Sequence, residues 1–363
     1  MLTPKKTFLY LVILNLMITE KCNLRCTYCY QKKKNRTMTK QVAKKAIDLF
    51  LKNSKAKKKF IDIFGGEPLL CPELLEFIFS YALSIDKNVG FFIGTNGTVL
   101  TLRIKALLKK YSFAIESLSV SFDLIKGLHD SSRVFPDGAP THDLILRNLT
   151  YLLKEFPELD IQARFHPKDA SRGFLIKYAE EARKLGVKRM MLMPLIGKIN
   201  SKNINLIAKE YALLYEWAYN LKNDGKDNDL HIRSIYPKLW KPDRVTPCGV
   251  ATRTLFVASN GLIYPCIEHW VNGKKSAGTV FRPDYNKIFF FREYVFLGQD
   301  NKKYFRCPAR MNNDCECLYT SDVARLDFLD RIFLTTYLLV RKAHPEIAEQ
   351  DSKPHNQLPF CKS

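Results

Sequence analysis

Six times between residues 8 and 240 a short apolar run is followed by an amphipathic stretch, and this alternation limits the fold more than any other feature of the chain. The apolar runs are Phe8–Ile18, Phe60–Phe64, Val89–Thr95, Leu118–Phe122, Ile161–Phe165 and Met190–Leu195. The stretches Met38–Asn53, Pro72–Ile85, Leu102–Lys110, Asp143–Phe156, Phe174–Leu185 and Asn205–Leu221 carry the spacing of helices with one apolar face. Apolar runs of this kind suit strands covered on both faces, and strand–helix repetition demands a parallel sheet with right-handed crossovers. Six units are fewer than the eight that close a full barrel. The expectation is therefore an α/β fold, a partial (β/α)6 barrel, with its chemistry at the C-terminal ends of the strands.

The pattern changes after Trp240. Lys241-Pro242-Asp243 and Pro247 predict a boundary, followed by a hairpin of Thr254–Ala258 and Leu262–Tyr264 turned at Ser259-Asn260-Gly261. Asp322 to Arg341 predicts a closing helix. The expected organisation is a barrel over 1–240, a smaller domain over 241–345 and a flexible tail over 346–363.

The chain has 363 residues and a formal net charge of +22, with lysines grouped at Lys32–Lys34, Lys52–Lys59 and Lys105–Lys110. Arginines and aromatics are not interleaved with them, so the charge reads as solvated helix faces and does not suggest a nucleic-acid partner. The apolar run Phe8–Met17 is too short to span a bilayer and lacks a small-residue cleavage site. A cytoplasmic location is expected, with no membrane partner, and there the ten cysteines read as metal ligands or catalytic thiols.

Three of them stand on one loop directly after the first strand, as Cys22-Asn23-Leu24-Arg25-Cys26-Thr27-Tyr28-Cys29. Three thiolates can hold three irons of a cubane cluster and leave the fourth open. A zinc site would want a fourth ligand at a usual spacing, and none stands there. Strand two ends in Gly65-Gly66-Glu67-Pro68. The two glycines permit close approach of the backbone to a ligand, and Glu67 can meet a cation. Strand three ends in Thr95-Asn96-Gly97-Thr98 and strand four in Ser121-Phe122-Asp123, with Arg133 ten residues beyond.

This set of motifs resembles the radical S-adenosylmethionine superfamily, in particular its peptide-modifying branch, which includes the anaerobic sulfatase maturases. The resemblance implies a [4Fe–4S] cluster on Cys22, Cys26 and Cys29, and S-adenosylmethionine on its open iron. The Gly65-Gly66-Glu67 segment would bind the ammonium group of the methionine moiety, with Asn96 on the next strand end. Ser121, Arg133 and Leu195 would contact S-adenosylmethionine, and Tyr28 would lie beside its adenine. Arg133 suits the methionine carboxylate, because its planar fork matches such a group.

Cys248, then twelve residues, Gly261, four residues and Cys266 resemble the opening of a SPASM or Twitch auxiliary-cluster domain. The later cysteines depart from that pattern: Arg310 stands where a second cysteine belongs, and Cys307, Cys315 and Cys317 are compressed. The expectation is one auxiliary [4Fe–4S] cluster on Cys248, Cys266 and some of Cys307, Cys315 and Cys317, with a zinc site as the rival. Cys361 falls in the expected tail, and Cys71 reads as a buried core residue.

Sulfatase maturases keep an aspartate directly after the cysteine equivalent to Cys266. Ile267 stands there, and Glu268, one place on, is the candidate base. His166 and Asp169 read as ordinary loop residues. The reaction implied is hydrogen abstraction from a peptide or protein side chain, with a flavodoxin- or ferredoxin-type electron donor. With the first cysteine at position 22, no leader-recognition domain is expected before it. The alternatives are a radical enzyme acting on RNA or on a small cofactor precursor, and a non-catalytic zinc-binding interaction protein.

Overall fold

The computed structural model describes residues 11–195, 198, 200, 202–224, 230–232 and 253–288, with seven further positions between 332 and 343. Six strand–helix units form as the alternation requires. The strands are β1 (Ile13–Thr19), β2 (Phe60–Gly65), β3 (Gly90–Thr95), β4 (Ile115–Val120), β5 (Asp160–Phe165) and β6 (Arg189–Pro194). The helices are α1 (Lys40–Leu51), α2 (Pro72–Ile85), α3 (Leu102–Lys110), α4 (Lys126–Asp130), α5 (His142–Glu155), α6 (Phe174–Lys184) and α7 (Ile204–Asn223). Each strand from β1 to β6 pairs in parallel with the next in sequence. This is the order of a barrel wall, matching the expected α/β class.

Two additions lengthen the sheet. β7 (His231–Ile232) joins beyond β6. At the other edge β8 (Thr254–Val257) lies parallel to β1, pairing Ile13 with Thr254 and Leu16 with Val257. β9 (Ile263–Tyr264) completes the expected hairpin, giving the order β7-β6-β5-β4-β3-β2-β1-β8-β9. α8 (Ile267–Val271) follows, and β10 (Gly278–Thr279) and β11 (Arg282–Pro283) form a separate small ladder.

The sheet has two unlike faces, because successive side chains on a strand point to opposite sides. Leu14 and Leu16, Ile61 and Ile63, Phe91 and Ile93, Leu118 and Val120, and Ile161 and Ala163 are all at most 2% exposed and form one core with the helices. Burying a side chain of this size stabilises the fold by roughly 1.5–3 kcal/mol. The alternate positions, among them Asn15, Asp62, Phe92, Ser119, Gln162 and Met191, are only partly buried and line the inner face. Phe64 on that face packs with Met17 and Phe256 in a second, smaller cluster.

The domain boundary expected near 241 and the tail lie outside the described residues. Of the closing helix, Ile332 joins the main core and the Thr336 hydroxyl donates to the Ala208 carbonyl of α7. Among the described residues no helix is long and apolar enough to cross a membrane.

Candidate active site

The cysteine loop leaves β1 and is pressed onto the ends of the neighbouring strands. A Cβ added to Gly66 would strike the Lys21 carbonyl and lie 2.9 Å from Cys22 Cβ, and one on Gly65 would strike the Thr19 carbonyl. Only glycine lets the end of β2 lie this close to the loop. Backbone bonds from Gly66 N to the Thr19 carbonyl and from Glu67 N to the Lys21 carbonyl, each 2.8 Å, fix the contact.

Cys22, Cys26 and Cys29 are all free thiols, the first two partly buried and the third exposed. Burial raises the thiol pKa of Cys22 and of Cys26. Among the described residues no three His, Cys, Asp or Glu side chains close on a single ion.

Asn96 supports the loop. Its amide donates to Asn23 Oδ1 at 2.9 Å and lies 3.8 Å from Cys22 Sγ, while Asn23 donates to Thr98 Oγ1 at 2.8 Å. Glu67 is fully buried. Its carboxylate accepts hydrogen bonds from Leu69 N (3.0 Å), Thr95 Oγ1 (2.7 Å) and Asn96 N (2.7 Å). Burial outweighs these donors and lifts its pKa to about 7. The side chain thus stitches β2 to β3, and the part of this motif left facing the loop is the Gly65-Gly66 backbone.

Arg133 lies beside the loop on the far side. Its guanidinium donates through Nε (2.8 Å) and Nη2 (3.3 Å) to Asp123, which also accepts from Tyr28 Oη (2.7 Å) and Arg164 N (2.8 Å). Burial opposes the Asp123 charge, but the guanidinium and these donors hold its carboxyl below the usual range. Arg133 also lies over the Tyr28 ring, 5.2 Å from its centre. Arg25 N and Thr27 N donate to the carbonyls of Val134 and Ser132, so this segment and the cysteine loop form one unit.

The turn beneath it is held by a neutral histidine. Asp123 N donates to His129 Nδ1 (3.1 Å), which leaves the proton on Nε2 to meet Thr141 Oγ1 at 3.0 Å. Burial lowers the His129 pKa to about 4. Leu124, next to Asp123, has φ +60°, a left-handed conformation that costs a leucine on the order of 1–3 kcal/mol.

Of the other residues singled out, Ser121 directly follows β4 with its hydroxyl unengaged by any described residue, and Leu195 follows β6, anchored by its N–H to the Phe165 carbonyl. Cys266 is a partly buried cysteine, outside any disulfide, after β9. The side chain of Glu268 and the residues Cys248, Cys307, Cys315, Cys317 and Cys361 lie outside the described residues. Cys71 is buried in the core, and His166 caps the turn at Lys168. Sequence reading missed Asp123 as the partner of Tyr28 and Arg133. The only signal was an acid next to the Ser121 strand end, ten residues before an arginine.

Residues 16–159 match the model of the Radical SAM superfamily. The chain carries a radical SAM domain. This domain implies a [4Fe–4S] cluster and S-adenosylmethionine, and the free thiols and glycine-lined strand ends suit both. An uncharacterized protein, MJ0907, of Methanocaldococcus jannaschii is 33% identical over 144 residues, 39% of this chain and 48% of that protein. The GTP 3',8-cyclase of Aliarcobacter butzleri is 29% identical over 186 residues, 46% of this chain and 54% of its own. This chain therefore spans only about half the length of these two relatives. A cysteine-type anaerobic sulfatase-maturating enzyme of Clostridium novyi is 23% identical over 291 residues, 74% of this chain and 76% of that enzyme. The solved structure of native anSMEcpe with bound AdoMet and Cp18Cys peptide superposes with a TM-score of 0.69 at 18% identity, covering 93% of this chain and 99% of the other. The likeness of fold to that structure is thus not confined to residues 16–159.

Proposed function

We propose that the chain is a radical S-adenosylmethionine enzyme that abstracts hydrogen from a peptide or protein side chain, in an oxidation or a cross-linking reaction. The observation that carries this reading is the cysteine loop itself, with three free thiols held against the glycines of β2 and the Tyr28–Asp123–Arg133 unit. Cys22, Cys26 and Cys29 would hold the cluster. The Gly65-Gly66 backbone, Ser121 and Leu195 would receive S-adenosylmethionine, with Tyr28 beside the adenine. Asp123 occupies Nε and Nη2 of Arg133, which leaves Nη1 for the methionine carboxylate. Asn96 and Glu67 would act by ordering the loop and strand ends. Reductive cleavage of the bound S-adenosylmethionine supplies the hydrogen-abstracting radical.

The peptide class is supported by the fold match to a structure that contains a peptide and by the sulfatase-maturating relative. In this reading residues 241–345 form the auxiliary domain and carry one further [4Fe–4S] cluster on Cys248, Cys266 and cysteines among Cys307, Cys315 and Cys317. Glu268 is its candidate base. A flavodoxin- or ferredoxin-type protein supplies the electron. A second reading, a small cofactor precursor as substrate, rests on the match to the GTP 3',8-cyclase.

The test is anaerobic purification followed by iron and sulfide analysis and assay of 5'-deoxyadenosine. Dithionite with S-adenosylmethionine should yield 5'-deoxyadenosine in the wild type and not in Cys26→Ala. Stimulation by a peptide supports the first reading and stimulation by GTP the second. A colourless protein holding zinc and no sulfide ends both.

A further inference from the structure

On the inner face of the sheet the Asp62 carboxylate has no partner among the described residues. Asp62 lies midway along β2, where Ile61 and Ile63 on either side of it are fully buried toward the helices. Its own side of the strand is the inner one, shared with Phe60 and Phe64. The ladder sets it level with Asn15 on β1 and Phe92 on β3. No described residue gives Asp62 a hydrogen bond or an ion pair. Even Asn15, level with it, turns its amide to the Leu255 carbonyl. No charge on a described residue acts on the carboxyl, and burial raises its pKa to about 7.

Its surroundings are aromatic. Phe60 and Phe92 stack at 4.7 Å with planes 16° apart, Lys58 Nζ lies 5.3 Å from the centre of the Phe60 ring, and Phe64 follows two residues along, so Phe64 and Phe92 are the rings left to a ligand. An acid held among three phenyl rings is costly while unpaired. The same set, a carboxylate with aromatic faces beside it, suits an alkyl cation, which gains a charge-assisted hydrogen bond and ring attraction together. Asp62 is four residues before Gly66, so it lies about 13 Å from the cysteine-loop contact at roughly 3.3 Å per residue. Asp62, Phe60, Phe64, Phe92 and Asn15 all keep some exposure on this face, so it is not sealed by the core.

We propose that Asp62, with Phe64 and Phe92, is a recognition site in the barrel lumen for a protonated alkylamine or alkylguanidinium group. A lysine or arginine side chain or the amino terminus of a substrate peptide would supply that group. This rests on the proposed radical reading only in treating the lumen as substrate space.

The probes are n-butylguanidinium and n-butylammonium, with n-butylurea as the neutral control, added to the cluster-loaded wild-type enzyme labelled with ¹³C at its aspartate carboxyls. The signal absent from Asp62→Asn identifies Asp62. Either cation should move it saturably toward the ionised position, and n-butylurea should not. Calorimetric affinity for the cations should fall about ten-fold in Asp62→Asn, the loss expected for one charged hydrogen bond. Asp62→Ser serves for the calorimetry if that variant does not fold. No shift, an equal shift with n-butylurea, or undiminished affinity in the variant overturns the inference. Absence of 5'-deoxyadenosine from the wild type with dithionite would instead overturn the proposed function and leave the binding result standing.

Discussion

At the scale of single residues, Asp123 and Asp62 are two acids in opposite situations. Asp123 is held by Arg133, Tyr28 and the Arg164 backbone, and its loss would strand the guanidinium, which is only 7% exposed. Replacing it with alanine should cost about 3–5 kcal/mol, the usual penalty for breaking one side of a buried ion pair. Urea denaturation of the two proteins measures this. A cost below 1 kcal/mol would show that Arg133 finds another partner. For Asp62 the sign is reversed. Its folded pKa, near 7, exceeds the ordinary aspartate value, so the unfolded chain gives up this proton first. Wild-type stability relative to Asp62→Asn should therefore fall as pH rises from about 4 to 7 and stay level above that. The variant should be equal near pH 4 and more stable by about 2–4 kcal/mol above pH 7. Thermal melts across this range decide it, and a constant difference would mean that Asp62 is ionised throughout. The cysteines and glycines of the site were legible because their spacing carries their chemistry. These two acids were not, because what each does depends on which side chains surround it in space.

At the scale of elements, the strand–helix units were legible because each carries its own period. Pro72–Ile85 and Leu102–Lys110 match α2 and α3 residue for residue. β4 begins three residues earlier than its apolar run, at Ile115, because Glu116 and Ser117 belong to faces that need not be apolar. The two-residue strand β7 carries too little pattern to read. The placement of β8 beside β1 had no local signal at all, since ladder partners 241 residues apart, such as Ile13 and Thr254, leave no trace in either segment. That pairing brings Ser259 of the hairpin turn to Glu20, to which its hydroxyl donates, and so ties the hairpin to the root of the cysteine loop. The tightest joint between elements is Gly66 against that loop. Gly66→Ala should force the two apart at a cost of roughly 1–3 kcal/mol. The fold should survive while iron retained after anaerobic reconstitution drops several-fold. Iron content and far-ultraviolet circular dichroism read both. Full iron loading in the variant would show that the loop does not need this approach.

At the scale of the whole molecule, charge distribution says more than net charge. Between Lys21 and Lys45 there are nine lysines and arginines and no Asp or Glu. Lys21, Arg25, Lys32, Lys33, Lys34 and Arg36 are exposed. The segment bearing the last four folds back on the cysteine loop, with Lys33 Nζ donating to the Leu24 carbonyl and Glu20 N to the Arg36 carbonyl. Glu20, Glu67 and Asp123, the acids that bond into this loop and its strand ends, are all buried. A cluster of exposed cations on the loop proposed to hold the cluster would attract an acidic electron-carrier protein over a range set by ionic strength. An uncharged or small reductant would gain nothing from it. Formation of 5'-deoxyadenosine driven by a reduced flavodoxin should therefore slow steeply between about 50 and 300 mM salt, since screening shortens the reach of exposed charges. The dithionite-driven rate should change much less. The double variant Lys32→Glu, Lys34→Glu should lower the flavodoxin-driven rate about ten-fold and leave the dithionite-driven rate within two-fold. Equal losses with both reductants would mean that these lysines serve the loop's structure, and no loss with either would place the donor on another face of the barrel.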